Sequence, residues 1–333
     1  MGAGASLLFP GLASAHVKWF CAFDVAGQPR GLENVLCPDF ELLTGFALVV
    51  LLAGCIIEGT WVGAAVQRAL NRATSRLATD SELLFRAICG FFFVALWSTG
   101  GIILTPELTT GSAAISWLQL AIAAGMMWRA TLPASALGIV FLFGLALAQY
   151  GLFHLMDYPI FLGVAAYLAL TGLQRDLFGM KPLDVVRWAT AITLMWASIE
   201  KWAYPEWSFP LFVAHPALTL GYDSEFFMRA AGVIEFTLSF ALLWTPLVRR
   251  AAAIVLAAMF VSAVFEFGKL DAIGHAPIIA VLLVIVADDR SVARFASRLR
   301  TLAYAPACFA AALVTFLALY YAMHAALFGT TII

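Results

Sequence analysis

Charged residues are scarce in this chain of 333 residues: only 12% are Asp, Glu, Lys or Arg, whereas 63% are hydrophobic. A soluble domain typically carries about 25% charged and 45–50% apolar residues. No single core can hide this surplus of apolar side chains, so lipid must cover much of it. The net charge of −1 also argues against an electrostatic nucleic-acid binder, which needs a basic surface.

Several motifs of catalysis and redox chemistry are missing as well. The five cysteines include no CxxC pair, so neither a zinc knuckle nor a thioredoxin-like redox pair is indicated. The sequence contains no GxSxG, Walker A or Rossmann glycine motif. No paired intramembrane histidines of the kind that hold b-type haem stand out. These absences weaken the familiar enzyme classes without excluding an unfamiliar one.

Long apolar runs are what the sequence has instead. A spanning helix needs ~20 mostly apolar residues, and the sequence predicts an all-α, polytopic bundle of about ten transmembrane helices. The ninth run is short, so it would tilt little, thin the bilayer locally or extend into residues 269–274. The ten segments run near 42–66, 87–104, 112–128, 135–154, 158–174, 188–204, 228–247, 251–268, 274–287 and 303–327.

The positive charges fall mainly on alternate loops of this ten-span arrangement. An excess of Lys and Arg marks the cytoplasmic side of a membrane protein, so both termini are predicted to be extracytoplasmic. In a Gram-negative cell this means the inner membrane, with both termini in the periplasm. The predicted cytoplasmic loops hold 14 of the 19 basic residues: Arg68, Arg72, Arg76, Arg86, Arg129, Arg175, Lys181, Arg187, Arg249, Arg250, Arg290, Arg294, Arg298 and Arg300.

Four parts follow from this topology: an extracytoplasmic N-terminal segment (1–41), a five-span half (42–180), a four-span bundle (181–290) and a C-terminal span (291–333). Cys21 and Cys37 share the outer side, where they either form a disulfide or remain two unpaired small hydrophobes. The first fifteen residues are either a signal peptide cleaved after Ala15 or an uncleaved tail.

Ionisable side chains near the outer ends of the sixth to eighth spans are the first candidates for a functional site. Charges inside a membrane are costly, by about 2.5–3.5 kcal/mol at a helix centre. We expect five of them to converge on one outward-facing cavity, with Glu200 against Lys269 and Lys201 against Glu235. The alternative is a charge network that only joins helices. The candidate catalytic residues are Glu200, Lys201, Glu235, Glu266 and Lys269.

Glu58 lies apart from this cluster, toward the cytoplasmic end of the first span. A buried structural hydrogen bond is its predicted role. Gly59 and Gly63 follow it with a spacing of four residues, which allows close helix approach.

The five histidines form a second signal, because the predicted topology places all of them on the outer side. The preferred metal ligands are His154, Met156 and His324, with His275 completing the site. Histidine with methionine suits copper, and histidine with carboxylate suits zinc. No HxH, HxxxH or HExxH spacing is present, so the alternative is ordinary interfacial histidines. The five are His16, His154, His215, His275 and His324.

Residues 183–288 carry three short motifs. A span ends in the charged, aromatic turn Ile199-Glu200-Lys201-Trp202-Ala203-Tyr204-Pro205, and a helix opens with Arg229-Ala230-Ala231-Gly232-Val233-Ile234-Glu235. Two closely spaced helices follow, with a break around Gly268-Lys269 and Gly274-His275. In these features the segment resembles the DoxX-like superfamily of four-helix membrane proteins, which includes the MauE-like branch.

The resemblance covers about a third of the chain. Members of the superfamily are linked to quinone-dependent sulfur oxidation, to maturation of periplasmic redox proteins and to vitamin-K-type carboxylation. The resemblance therefore implies a lipid-facing bundle with a polar, redox-related site, and it carries Glu200, Lys201 and Glu235 over as site residues.

Three functions remain open at this point. The first is a redox-linked or quinone-interacting accessory protein of DoxX-like type, with quinone as cofactor and a periplasmic redox protein as partner. The second is a copper or zinc handling protein that works with a metal-carrying partner. The third is a transporter of small solutes or ions. The seventh and eighth spans supply few deep polar groups, namely Thr237, Ser239 and Ser262, which counts against transport.

Overall fold

The computed structural model describes residues 17–290 and 298–330, and within these ranges it is largely helical with no β-strand. Eleven of the described helices have ten or more residues. They are α1 (Pro38–Glu58), α2 (Trp61–Ala73), α3 (Ser81–Thr99), α4 (Ala113–Gly125), α5 (Leu132–Tyr150), α6 (Pro159–Leu173), α7 (Pro182–Ala203), α8 (Ser224–Ala241), α9 (Pro246–Phe267), α10 (Lys269–Ala287) and α11 (Arg298–Phe328).

Each of the ten predicted apolar segments overlaps one of these helices, and α2 is the additional one. Among the described residues, six helices are long and apolar enough to cross a membrane: α1, α3, α5, α9, α10 and α11. Helices α4 and α6 are apolar but shorter. The all-α, multi-pass character of the chain is therefore confirmed.

The first predicted span, 42–66, is wrong at its C-terminal end. Helix α1 stops at Glu58, and Thr60 starts α2 by accepting a hydrogen bond from the backbone N–H of Gly63 at 3.3 Å. Gly63 packs against the backbone of Glu58, where a side chain would clash. The break separates the apolar span from the amphipathic helix α2.

The predicted structural role of Glu58 is confirmed. Its carboxylate accepts hydrogen bonds from the Thr245 hydroxyl, from the Leu247 backbone N–H at 3.1 Å and from the Gln67 amide at 3.2 Å. Glu58 thus ties the end of α1 to the start of α9, and it satisfies a backbone N–H that α9 leaves without a helical partner.

The short ninth run is lengthened by the polar residues that precede it. Helix α10 begins at Lys269, so the third alternative, an extension into 269–274, is confirmed. Gly268 separates α9 from α10 with a φ of +75°, a backbone conformation that favours glycine. The reversal therefore needs a single residue, and α9 packs directly along α10.

Helix α7 lies at the centre of the bundle and packs against both α6 and α8. Helices from the two predicted halves are interleaved, because α1 packs on α8 and α10 packs on α3. Most of the buried apolar side chains of these helices form one continuous core, and a smaller cluster at α8 and α9 includes Phe227, Met228 and Ala263. The core leaves two polar regions, one at each end of the bundle.

The N-terminal segment, residues 17–37, lies across one end of the bundle, which we call the outer end. Its base, Val25–Arg30, is held by backbone hydrogen bonds. The Arg30 N–H donates to the Ala203 carbonyl at 2.9 Å, and the hydroxyls of Tyr204 and Tyr321 donate to carbonyls of the base at 2.7 and 2.6 Å. Residues 1–16, which contain His16 and the candidate cleavage site, lie outside the described ranges.

An arginine cluster joins the helices at the opposite, inner end. Arg249 and Arg290 contact the Asp288 carboxylate at 3.2 and 2.6 Å, and Arg187 contacts Asp184 at 3.1 Å. These residues come from α7, from α9 and from the chain that follows α10. The cluster joins the inner ends of three helices, whereas the candidate site lies at the outer end.

The predicted disulfide between Cys21 and Cys37 is wrong, since all five cysteines are free thiols. Cys21 packs into a small apolar cluster with Leu211 and Phe212, whereas Cys37 directly precedes α1. The alternative, two unpaired small hydrophobes, describes the structure.

We expect Cys21 and Cys37 to be alkylated completely in denatured protein without prior reduction. Mass spectrometry of the two peptides would measure this, with a reduced sample as the control. Alkylation of both peptides only after reduction would contradict the structure.

Candidate functional site

Lys18 enters the outer end of the bundle as a fully buried cation. Its ammonium group binds the Asp157 carboxylate and lies 2.6 Å from the Glu200 carboxylate. Asp157 stands in the short connection before α6, and Glu200 lies in the last turn of α7. One side chain of the N-terminal segment therefore joins two elements that are remote in sequence.

The surroundings keep Lys18 charged. Burial alone lowers the pKa of Lys18, but the charges and hydrogen bonds of Asp157 and Glu200 outweigh this effect and raise the pKa above its ordinary value. The rings of Phe23 and Trp207 each lie with their centroid 5.6 Å from the ammonium nitrogen. Such cation–π contacts add further stabilisation.

A second buried ion pair joins α7 to α8. Lys201 contacts Glu235 at 2.9 Å, so the predicted pairing of these two residues is confirmed. Gly232, one turn before Glu235, lies directly against the Trp202 indole, where a side chain would clash. This close approach brings α7 and α8 together at the depth of the ion pair.

The third polar pair lies on α10. His275 Nδ1 is 3.0 Å from the Asp271 carboxylate, and both residues are buried. The imidazole lies between two aromatic rings, with centroids 4.7 Å from Trp19 and 4.6 Å from Phe260. His275 makes one hydrogen bond among the described residues, through Nδ1 to Asp271, so a ligand would bind at Nε2.

The Lys201–Glu235 pair and His275 border one small cavity. Its volume is about 40 Å³, which is room for a few water molecules. Asp157 also borders it, and its Oδ1 atom is buried without a hydrogen-bond partner among the described residues. The polar lining includes Thr105, Asp157, Tyr158, Thr193, Lys201, Glu235 and His275, and the aromatic walls are Trp19, Phe161 and Phe260.

Two of the predicted site residues lie elsewhere. Glu266 and Lys269 are exposed at the α9–α10 reversal, and Glu266 contacts His215 at 2.7 Å. The predicted pairing of Glu200 with Lys269 is wrong, because Lys18 occupies that position beside Glu200. Of the five candidates, only Lys201 and Glu235 border the cavity.

The predicted metal ligands are not assembled. Within the described ranges, no group of three His, Cys, Asp or Glu side chains could hold a metal ion. His154 lies 3.8 Å from Glu107, whereas His275 is bound to Asp271. His324 Nε2 is 2.9 Å from both the Tyr204 hydroxyl and the Val25 carbonyl. The histidines therefore have separate polar neighbours, and Met156 is a partly buried side chain packed on the core.

Sequence reasoning missed Lys18 and Asp157 as members of the site. The available signal was a single lysine within the aromatic and apolar stretch Val17-Lys18-Trp19-Phe20. A lone charge in such surroundings is costly unless it is paired, which indicates a carboxylate partner but does not identify it.

We expect Lys18→Met to lower the free energy of unfolding by about 3–5 kcal/mol, because it leaves two buried carboxylates without their cation. Thermal unfolding in detergent would measure the change. Lys269→Met is the matched control, since its side chain is exposed and should shift stability by only about 0.5 kcal/mol. Adding Asp157→Asn and Glu200→Gln to Lys18→Met should recover part of the loss. Equal melting temperatures for Lys18→Met and wild type would contradict this account.

The chain was compared with protein-family models, with curated proteins and with solved structures. None of the three comparisons found a match.

Proposed function

We propose that this chain is a quinone-interacting membrane protein of DoxX-like type, and that its outer cavity holds the quinone headgroup and exchanges protons with it. One observation carries the proposal: the Lys201–Glu235 ion pair and His275, which is itself paired with Asp271, border the same aromatic-walled cavity. Buried titratable pairs that converge on one cavity are typical of functional sites.

The donor set fits a quinone headgroup. Such a headgroup is a flat ring with two carbonyl oxygens, so it needs aromatic walls and hydrogen-bond donors. Phe161 and Phe260 supply the walls, while His275 Nε2 and the Lys201 ammonium supply the donors. When bound, the headgroup would supply two-electron, two-proton redox chemistry. Electrons would be exchanged with a separate periplasmic redox protein.

The volume of the cavity matches a quinone headgroup only in part. Pockets for small molecules usually measure about 300–1,000 Å³, whereas this cavity has a volume of about 40 Å³. The Trp19 indole fills the outer side of the same space, beside His275. The chemistry of the lining therefore suits a quinone headgroup. The headgroup can enter the cavity only when Trp19 moves.

The charges around the site support proton exchange. The carboxylates are Glu107, Asp157, Glu200, Glu235 and Asp271, and the basic groups are Lys18, Lys201, His154 and His275. Even with both histidines charged, carboxylates outnumber basic groups by one. Since a buried uncompensated charge is expensive, this excess of negative charge favours the uptake of a further positive charge, such as a proton, at the site.

The proposal also includes the number of transmembrane helices and their orientation. The ten helices α1 and α3–α11 would cross the inner membrane, with both termini and the cavity on the periplasmic side. The alternation of basic loops supports this orientation. Helix α2, with Trp61 and Val62 exposed, would then lie at the cytoplasmic membrane surface.

We expect a cysteine introduced at Arg72 to resist an impermeant maleimide in intact cells and to react after permeabilisation. A cysteine at Gln28 is the matched control and should react in intact cells once the outer membrane is permeable. Labelling at position 72 in intact cells would overturn the orientation.

We expect Glu235→Gln and His275→Asn each to weaken binding of a short-chain ubiquinone analogue by roughly tenfold or more, since hydrogen bonds to charged groups contribute about 1.5–3 kcal/mol. Calorimetric titration of the protein in nanodiscs would measure the affinity. Glu33→Gln is the control, because this carboxylate is exposed on the N-terminal segment. If the analogue does not bind to wild type, or if it binds equally to all four proteins, the proposed function is wrong.

A further inference from the structure

Trp19 stands where a planar ligand ring would bind. Its indole forms one wall of the cavity and lies with its centroid 4.7 Å from the His275 imidazole. His275 is also the residue whose Nε2 would bind the ligand. The side chain of the N-terminal segment therefore covers the hydrogen-bonding edge that the proposed headgroup would use.

The opposite helix has a notch for this indole. Gly274 of α10 lies in direct contact with the Trp19 ring, and any side chain at position 274 would clash with it. A glycine inside a helix is less favourable than an alanine, because the glycine backbone loses more conformational freedom. At position 274 the packing of the indole on the helix offsets this cost. The notch therefore accommodates a flat ring that lies against α10.

We infer that the tip of the N-terminal segment, Lys18–Phe20, is a plug that fills the headgroup site and that a quinone headgroup must displace to bind. The inference rests on the proposed function and adds the regulation of the same site. Two features make displacement feasible: the tip is held differently from the base, and its ion pairs can be broken without unfolding a helix.

The base remains fixed when the tip moves. Val25–Arg30 is held by hydrogen bonds to Ala203, Tyr204 and Tyr321. For the tip, the contacts within the described residues are made by side chains: Lys18 between its two carboxylates, Trp19 in the notch and Phe20 against Phe267 with a centroid separation of 5.2 Å. Residues 21–24 connect the two parts outside any helix and can act as a hinge.

Closure is the favoured state without ligand. Withdrawal of Lys18 leaves Asp157 and Glu200 facing each other at the buried end of α7, which costs free energy. A protein whose competent state is rare binds its ligand with an apparent affinity reduced by the fraction that is open. Opening the plug by mutation should therefore raise the affinity without a new contact to the ligand.

Cys21 offers a native probe of the plug. It lies two residues from Trp19, it is partly buried, and burial raises the pKa of its thiol. Its alkylation by an impermeant maleimide should therefore be slow in the closed state. In a Cys37→Ser, Cys308→Ser background, we expect a saturating short-chain ubiquinone analogue to speed the alkylation of Cys21 by roughly tenfold, as expected if the closed state is about ten times more populated than the open one.

Two variants should open the plug from opposite sides. Trp19→Ala removes the ring, and Gly274→Ala expels it from the notch. Each should speed Cys21 alkylation without ligand and lower the Kd of the analogue by roughly tenfold. Trp117→Ala and Gly45→Ala are the matched controls, because Trp117 is exposed on α4 and a side chain at position 45 meets no neighbouring atom. Both controls should behave as wild type.

The outcomes separate the plug from the proposed function. If wild type and Trp19→Ala bind the analogue equally, or if Trp19→Ala binds it more weakly, the site exists but the plug is wrong. The plug is also wrong if the bound analogue leaves Cys21 alkylation unchanged. If neither protein binds the analogue, the proposed function fails, and the plug, as a ligand-displaced element, fails with it. If the Gly274→Ala variant does not fold, the Trp19→Ala variant alone tests the plug.

Discussion

The buried ammonium group of Lys18 is the interaction on which the outer end of the protein depends. A charge removed from water is tolerated only when opposite charges and hydrogen bonds replace its hydration. Lys18 finds both in Asp157 and Glu200, and these carboxylates are themselves too buried to be stable without a cation. The N-terminal segment, the α5–α6 connection and α7 are held in place by this mutual requirement.

Local patterns in the sequence were sufficient to predict most of the helices. Apolar runs and the alternation of basic loops located a helix for each of the ten predicted segments, because both signals act within about twenty residues. The errors fell where a capping residue decides a boundary. Thr60 starts a new helix within the first predicted run, and Gly268 allows α10 to begin at Lys269, so polar residues lengthen a short apolar stretch.

The site was harder to predict because its partners are distant in sequence. Lys201 and Glu235 were paired correctly, since both lie at the same depth on neighbouring spans. Lys18 is 139 residues from Asp157 and 182 from Glu200, and no local pattern links them. For the histidines the error was a predicted association that the structure does not contain. Their common placement at one end of the bundle predicted a shared metal site, yet each of the described histidines lies beside its own polar neighbour and none meets another.

The three buried pairs differ in what can break them. Lys201 and Glu235 sit on long helices, and His275 and Asp271 are four residues apart on one helix, so these pairs persist as long as the bundle does. Lys18 belongs to a segment without a long helix, whereas its partners lie in α7 and directly before α6. The same cost of burying charge therefore has two consequences: it stabilises the cavity lining, and in the proposed plug it favours the closed state. A ligand that supplies its own ring to the notch at Gly274 competes with Trp19 directly, and it need not disturb the pairs that would hold its headgroup.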